Sequence, residues 1–228
     1  MSAKVVLFGA GATGRGHVGL LAWQAGCELV FVERDPELVR LLSETGRYTV
    51  RYTGRNAVPD VEVTGFRVLA SDQRQAIARE VATADLVLTS VIEKNLPDVA
   101  ETIALAVKAC RQAGRTQPLN CVACENMPDS SSQLGGHVRE LLKGDDLDYC
   151  ERVFAFPDCM ISRVVPKPDP DPLLITTENY NEWTVRAEVF KGPKPEGLEA
   201  MELVTTQNAR LARKMFIHNG GKAICGYL

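Results

Sequence analysis

Gly9-Ala-Gly11-Ala-Thr-Gly14 closes a short apolar run, Lys4–Phe8, and opens a stretch with helical spacing, Gly14–Ala25. The chemistry this suits is anion capture. Gly9 allows a tight turn, Gly11 lets the backbone approach a pyrophosphate, and Gly14 lets the helix pack against the strand. The phosphates would sit on the helix N-terminus, where unpaired N–H groups and the helix dipole favour negative charge. Glu33 ends the next apolar run, Leu29–Val32, 19 residues after Gly14. That is close to the spacing of about 20 expected for a carboxylate that accepts hydrogen bonds from the adenosine ribose. A carboxylate there repels a 2′-phosphate and so favours NAD over NADP, although Arg34 beside it could receive one. The candidate coenzyme contacts are Phe8, Gly9, Ala10, Gly11, Ala12, Thr13, Gly14, Arg15, Glu33 and Arg34. Ser90 and Val91, at the end of the run Leu86–Val91, and Asn126, just beyond Leu119–Cys124, complete the set. A glycine turn that binds nothing, an FAD site and a regulatory nucleotide site stay open as alternatives.

The surrounding pattern alternates strands and helices. Strands are expected at Lys4–Phe8, Leu29–Val32, Tyr48–Tyr52, Val61–Leu69, Leu86–Val91 and Leu119–Cys124. Helices are expected at Gly14–Ala25, Pro36–Glu44, Ser71–Ala82, Asn95–Ala113 and Ser130–Leu142. Asp35 is placed to cap the second helix, with Pro36 at its first position. Continuous apolar strands alternating with helices imply an α/β fold of Rossmann type, a doubly wound, mostly parallel sheet covered on both faces. Four prolines in seven residues, Pro166–Pro172, predict a stiff surface loop. Leu173–Thr177 and Trp183–Val189 read as two further strands, and from Gly197 the pattern reads as helical to the end. The expected division is a dinucleotide-binding domain over 1–195 and, over 196–228, the first helix of a helical domain whose remainder is absent. The end, Ile224–Leu228, is apolar and needs a cover.

Bulk properties narrow the partners. Apolar residues make up 45% of the 228, enough for a sizeable core, and the net charge is −3. No basic stripe with interleaved aromatics suggests nucleic acid as a partner. No apolar run reaches the roughly 18 to 20 residues of a membrane span. The first residues lack the pattern of a signal peptide, so a cytoplasmic location is the default expectation. Cys121 and Cys124 form one C-x-x-C among seven cysteines. Without a second pair or two spaced histidines this is not a zinc site, and reduced cysteines packed as small apolar residues are the expectation.

Ordered short motifs run along the whole chain: Phe-Gly-Ala-Gly…Gly-Arg-Gly (Phe8–Gly16), Ala-Cys-Glu-Asn-Met (Ala123–Met127), Gln-Leu-x-Gly-His-Val (Gln133–Val138) and Arg-Val-Val-Pro (Arg163–Pro166). They continue as Asp-Pro-Leu (Asp171–Leu173), Glu-Trp (Glu182–Trp183), Phe-Lys-Gly (Phe190–Gly192) and Met-Glu-Leu (Met201–Leu203). In these the chain resembles the polyol-specific long-chain dehydrogenases, the mannitol dehydrogenase family. The resemblance implies two domains, NAD as coenzyme, no metal, and interconversion of a polyol or its phosphate with a ketose. Mannitol 1-phosphate and fructose 6-phosphate are the expected pair. A hexuronate reductase of the same family, or an NAD-binding module that does not turn over, are the other readings. The family's pattern Lys-x4-Asn-x2-His falls on Lys214, Asn219 and position 222, where Lys222 replaces the histidine. The resemblance thus makes Lys214 the general base and Asn219 and Asn126 the groups that hold an oxyanion. Ser162 stands where the family has an aspartate.

The chemistry is coherent with those roles. An alcohol loses its proton as hydride leaves its carbon, and a base titrating near the working pH does this best. A lysine must then be desolvated or set beside another cation. On a helix, Lys214, His218 and Lys222 fall on one face, with Asn219 in the same arc. Lys222 is thus placed to act on Lys214, and His218 to assume part of the missing histidine's role. Gly220 and Gly221 could break that helix.

Overall fold

The computed structural model describes residues 2–55, 57–165 and 170–220, and for His218 and Asn219 the backbone alone. Apolar runs bounded by glycines and polar turns become strands, and amphipathic runs become helices. In chain order the first half is β1 (Lys4–Phe8), a π-helical turn (Gly14–Val18) leading into α1 (Gly19–Gln24), β2 (Glu28–Glu33) and α2 (Pro36–Thr45). Next come β3 (Arg47–Thr53), β4 (Val61–Thr64), β5 (Arg67–Ala70), α3 (Arg74–Ala82), β6 (Leu86–Thr89), α4 (Leu96–Gln112) and β7 (Leu119–Ala123). The remainder is α5 (Ser130–Glu140), α6 (Asp145–Val153), β8 (Phe154–Ala155), β9 (Cys159–Ser162), β10 (Leu174–Glu178), β11 (Glu182–Arg186), β12 (Glu202–Val204) and α7 (Gln207–Arg213), which runs on as a π-helical turn, Lys214–Asn219.

Six strands form one parallel sheet in the order β5-β2-β1-β6-β7-β8. The chain builds outward from β1 through β2 to β5, then crosses back to β6 and builds the other way. The crevice above the ends of β1 and β6 is therefore the topological switch point, where such sheets bind ligands. Alternate side chains feed two cores. Val6, Phe8, Val30, Val32 and Val87 pack under α3, α4, α5 and α6. Val5, Leu7, Leu29, Phe31 and Leu88 pack on the opposite face against Tyr48, Phe66 and Trp183. Phe31, Tyr48 and Phe66 meet edge-on or tilted at 5.5–6.2 Å between centroids, a favoured aromatic geometry.

The N-terminal cap of α2 is as the sequence predicts: Asp35 Oδ1 accepts from the Glu37 amide at 3.0 Å and Pro36 opens the helix; Gly46, at φ +62°, closes it after Thr45. Four readings change. The run Val61–Leu69 is two strands, split at Gly65 (φ +72°), and they join different sheets. The helix expected from Ser71 begins at Arg74. Helix α6 was not expected, because its stripe of Leu147, Tyr149, Cys150 and Val153 is short and lies among acidic residues. The stretch after Gly197 is not helical at first, since β12 pairs in parallel with β11 over Thr184–Arg186. Two small sheets, β10-β3-β4 and β12-β11-β9, flank the main one. Pro166–Asp169 of the proline loop, and Ile224–Leu228, lie outside the described residues. Among the described residues no helix is long and apolar enough to cross a membrane.

Candidate functional site

A cleft of about 1160 Å³ lies over the switch point. One end is walled by Glu33, Arg34, Ser71 and Asp72, the middle by the Gly9–Thr13 turn, and the other end by Asn126, Ser162, Arg163 and Lys214.

The glycine turn is built as its spacing requires. Gly9 sits at φ +95°, and a Cβ on it would collide with the Ser90 carbonyl. A Cβ on Gly14 would collide with the carbonyl of Gly9, so the helix leans directly on the turn. Gly11 differs: a Cβ there would meet nothing within 4 Å. No protein atom explains the bareness of Gly11, which borders open cleft at the first turn of the helix. A ligand that must approach the backbone does explain it. Ala12 and Thr13 line the same space, and Phe8 forms its floor.

Glu33 holds the turn from the side. Its Oε2 accepts from the Ala10 amide at 2.7 Å, and its Oε1 accepts from the amides of Arg34 and Asp35 at 2.7 and 2.9 Å. An ionised carboxylate has about four lone-pair sites, so one remains for a ribose hydroxyl. The Ala10 amide is committed to Glu33 and Ala10 is fully buried, so this residue shapes the turn from within. Arg34 lies along the cleft rim with its guanidinium on Asn95 Oδ1 at 3.1 Å. Arg15 is placed otherwise than expected. It is 4% exposed, and its guanidinium donates to Ala10 O at 2.6 Å and Pro172 O at 2.7 Å. It also lies 5.4 Å from the Tyr48 ring centre. Arg15 thus braces the turn against the loop before β10, and burial lowers its pKa.

At the far end the structure joins two residues that the chain separates. Lys214 Nζ donates to Asn126 Oδ1 at 2.7 Å and to Ile161 O at 2.6 Å. With Lys214 as the donor, Asn126 Oδ1 is the acceptor, and the Nδ2 group of Asn126 is left as a donor for another partner. The helix carrying Lys214 is docked by Glu182, which pairs with Arg210 at 3.2 Å and with Arg213. Its last described turn leaves Phe216 82% exposed. Asn219 and His218 are on the helical turn by backbone, while Lys222 lies outside the described residues. Ser162 lines the cleft beside Arg163.

Three groups here were not singled out from the sequence. Glu125 lines the cleft, and burial pushes its carboxyl up to about 7. Arg163 donates to Gly16 O at 2.8 Å and Tyr180 O at 3.1 Å. His17 is fully buried in the π-helical turn, and among the described residues neither ring nitrogen has a hydrogen-bond partner. Burial first, then the charges of Arg163 and Lys214, hold its pKa down at about 3. The signal for Glu125 was present, since a carboxylate directly after a continuous apolar strand is unusual; His17 looked like any helical residue. Ser90 and Val91 line the cleft. Cys121 belongs to one core and Cys124 to the other, on opposite faces of the sheet, so the C-x-x-C pair cannot share a metal.

The strand order, the glycine turn under a helix and the carboxylate at the tip of β2 define a dinucleotide-binding Rossmann domain. The chain belongs to the mannitol dehydrogenase family: the family's model, the mannitol dehydrogenase Rossmann domain, matches residues 3–197. The NAD expectation accords with that domain. Among solved structures, Pseudomonas fluorescens mannitol 2-dehydrogenase in a ternary complex with NAD and D-mannitol is similar, with TM-score 0.80 and 14% identity over 94% of this chain and 55% of that one. A D-sorbitol dehydrogenase in substrate-free form is similar with TM-score 0.77 and 14% identity, over 97% of this chain and 57% of that one. Octopine dehydrogenase with NADH and pyruvate gives TM-score 0.59 and 13% identity, over 95% of this chain and 54% of that one. The chain spans a little over half the length of these relatives.

Proposed function

We propose that this chain is the NAD-binding part of a polyol dehydrogenase that interconverts a secondary alcohol and a ketose, with Lys214 as the base. The observation that carries it is the Lys214–Asn126 contact at the end of the cleft away from Glu33. Bound NAD would supply the hydride acceptor. Gly11, Ala12 and Thr13 would hold its pyrophosphate, and Glu33 its adenosine ribose. Asn126 Oδ1 and Ile161 O orient the Lys214 amine, which as a neutral base would take the substrate hydroxyl proton. The Asn126 amide, with that of Asn219, would donate to the developing alkoxide, where a fixed donor acts most strongly. Arg163, a cation lining the same cleft, is a group that would favour the neutral amine.

The substrate reading is mannitol 1-phosphate and fructose 6-phosphate, on the motif likeness to mannitol-1-phosphate 5-dehydrogenase. Free mannitol, sorbitol and the hexuronates are its competitors. The helical domain is proposed to begin at Gln207, after β12, and to close the substrate side. The test is NADH oxidation with fructose 6-phosphate, fructose and tagaturonate, on this chain and on a version joined to a helical domain of the family. Turnover with fructose 6-phosphate supports the reading. Turnover with another ketose alone replaces the substrate, and NADH binding without turnover in either version makes the chain a binding module.

A further inference from the structure

Glu125 stands where β7 stops and the cleft begins. Its Oε1 accepts from the Thr89 hydroxyl at 2.9 Å, at the end of β6, and from the Val91 amide at 2.8 Å, two residues further on. Between those donors, the Ser90 amide reaches Phe8 O at 2.7 Å and the Ser90 carbonyl lies against Gly9. Glu125 is therefore a strut joining the ends of β7, β6 and β1 under the cleft. The next residue, Asn126, receives Lys214. Among the described residues Glu125 Oε2 takes no hydrogen bond, and the side chain lines the cleft.

With a dinucleotide in the cleft, the proposed function on which this inference rests, Glu33 on β2 marks the adenosine half. The nicotinamide half then lies past the switch point, over β6 and β7. We propose that Glu125 senses the charge of the nicotinamide ring: when ionised it favours the cationic oxidised ring over the neutral reduced one, and it releases its proton when the oxidised coenzyme binds. The pyrophosphate and both riboses are common to the two coenzymes, so the difference between them at this site is one positive charge. Water screens that charge poorly in a part-buried site.

Cys124 precedes Glu125 in the chain and is the titratable group that interacts with it electrostatically; Glu93 and Asp98 around the start of α4, Arg163 after β9, and Lys214 line the same cleft. Burial raises the Glu125 pKa to about 7, and the Val91 and Thr89 donors oppose that rise. Its ionisation is thus balanced near neutral pH, where a neighbouring charge shifts it most. Reciprocity fixes the sign. The oxidised complex holds Glu125 more acidic than the reduced complex does. Above both midpoints the preference for the oxidised ring is complete, and it is lost as pH falls through them.

The experiment is calorimetric titration of the full 228-residue chain with NAD+ and with NADH between pH 5.5 and 8.5. The ratio Kd(NAD+)/Kd(NADH) should rise about tenfold as pH falls, equivalent to a one-unit separation of the two midpoints. NAD+ should release more proton than NADH at pH 7. Glu125→Gln keeps an oxygen for Thr89 and Val91 and should make the ratio flat. The ¹³C shift of the Glu125 carboxyl in each wild-type complex reads the two midpoints without any variant, and the oxidised complex should give the lower one. A flat wild-type ratio, equal midpoints, or a slope kept in Glu125→Gln overturns the proposal while NAD binding stands. Failure of both coenzymes to bind overturns the dinucleotide reading and this inference with it.

Discussion

Lys214 Nζ lies 2.7 Å from Asn126 Oδ1, across 88 residues of chain. One comes from the turn after a parallel strand and the other from a helix that follows the small sheets. Their meeting places an amine and a side-chain amide together at one end of the cleft. In a version that turns over, Lys214→Ala should lower kcat by about 10²–10⁴ and Asn126→Ala by about 10²–10³. NADH affinity should change little in Lys214→Ala. An unchanged kcat in Lys214→Ala would remove the base assignment.

Gly9 and Gly11 should separate folding from binding. A methyl at Gly9 strains φ +95° and strikes Ser90 O, so Gly9→Ala should lose about 1–3 kcal/mol or more, seen as a lower urea midpoint. A methyl at Gly11 meets no protein atom. Gly11→Ala should therefore unfold like wild type within about 0.5 kcal/mol and yet bind NADH at least about tenfold more weakly. Equal NADH affinity would show that the pyrophosphate lies elsewhere.

Glu33 and Arg15 also divide into contact and brace. Glu33→Ala frees the amides of Ala10, Arg34 and Asp35 and removes the charge that repels a 2′-phosphate. The ratio of NADP to NAD dissociation constants should fall by about tenfold or more, equivalent to about 1.4 kcal/mol. Arg15→Met, in contrast, should cost on the order of 2 kcal/mol of stability by leaving Ala10 O and Pro172 O without their donor. The folded protein should keep its NADH affinity, measured by fluorescence titration.

His17 and Glu125 make opposite contributions to stability against pH. The folded pKa of His17 is lowered from 6.5 to about 3, so the unfolded chain binds the extra proton first. Stability from this group is complete above about 6.5 and falls as pH drops from 6.5 toward 3, by on the order of 4 kcal/mol at the end. The folded pKa of Glu125 is raised from 4.5 to about 7, so its stabilising contribution is present below 4.5 and is lost as pH rises toward 7. His17→Phe should abolish the acid-side loss and leave stability falling from pH 4.5 to 7. Denaturant melts across that range check it. A His17→Phe curve parallel to wild type would mean that the imidazole is not buried neutral.

The sequence by itself determined what local physics controls. Continuous apolar runs made β1, β2, β6 and β7 legible, because parallel strands buried on both faces need no alternation. The glycine spacing and Glu33 revealed the coenzyme turn, since tight turns and close backbone approach demand glycine whatever packs around them. Asp35 and Pro36 revealed the start of α2. Lys214 and Asn126 were legible only through likeness to a family, because no local pattern ties residues 88 apart. Tertiary structure alone decided the rest. It turned Arg15 inward onto Ala10 and Pro172, sent β4 and β5 to different sheets, and drew Glu202–Val204 into a strand beside β11. It also buried His17 and Glu125 deeply enough to shift their protons. Those outcomes depend on which surfaces meet, and burial and pairing between distant segments are set by the whole chain's packing, which no window of residues contains.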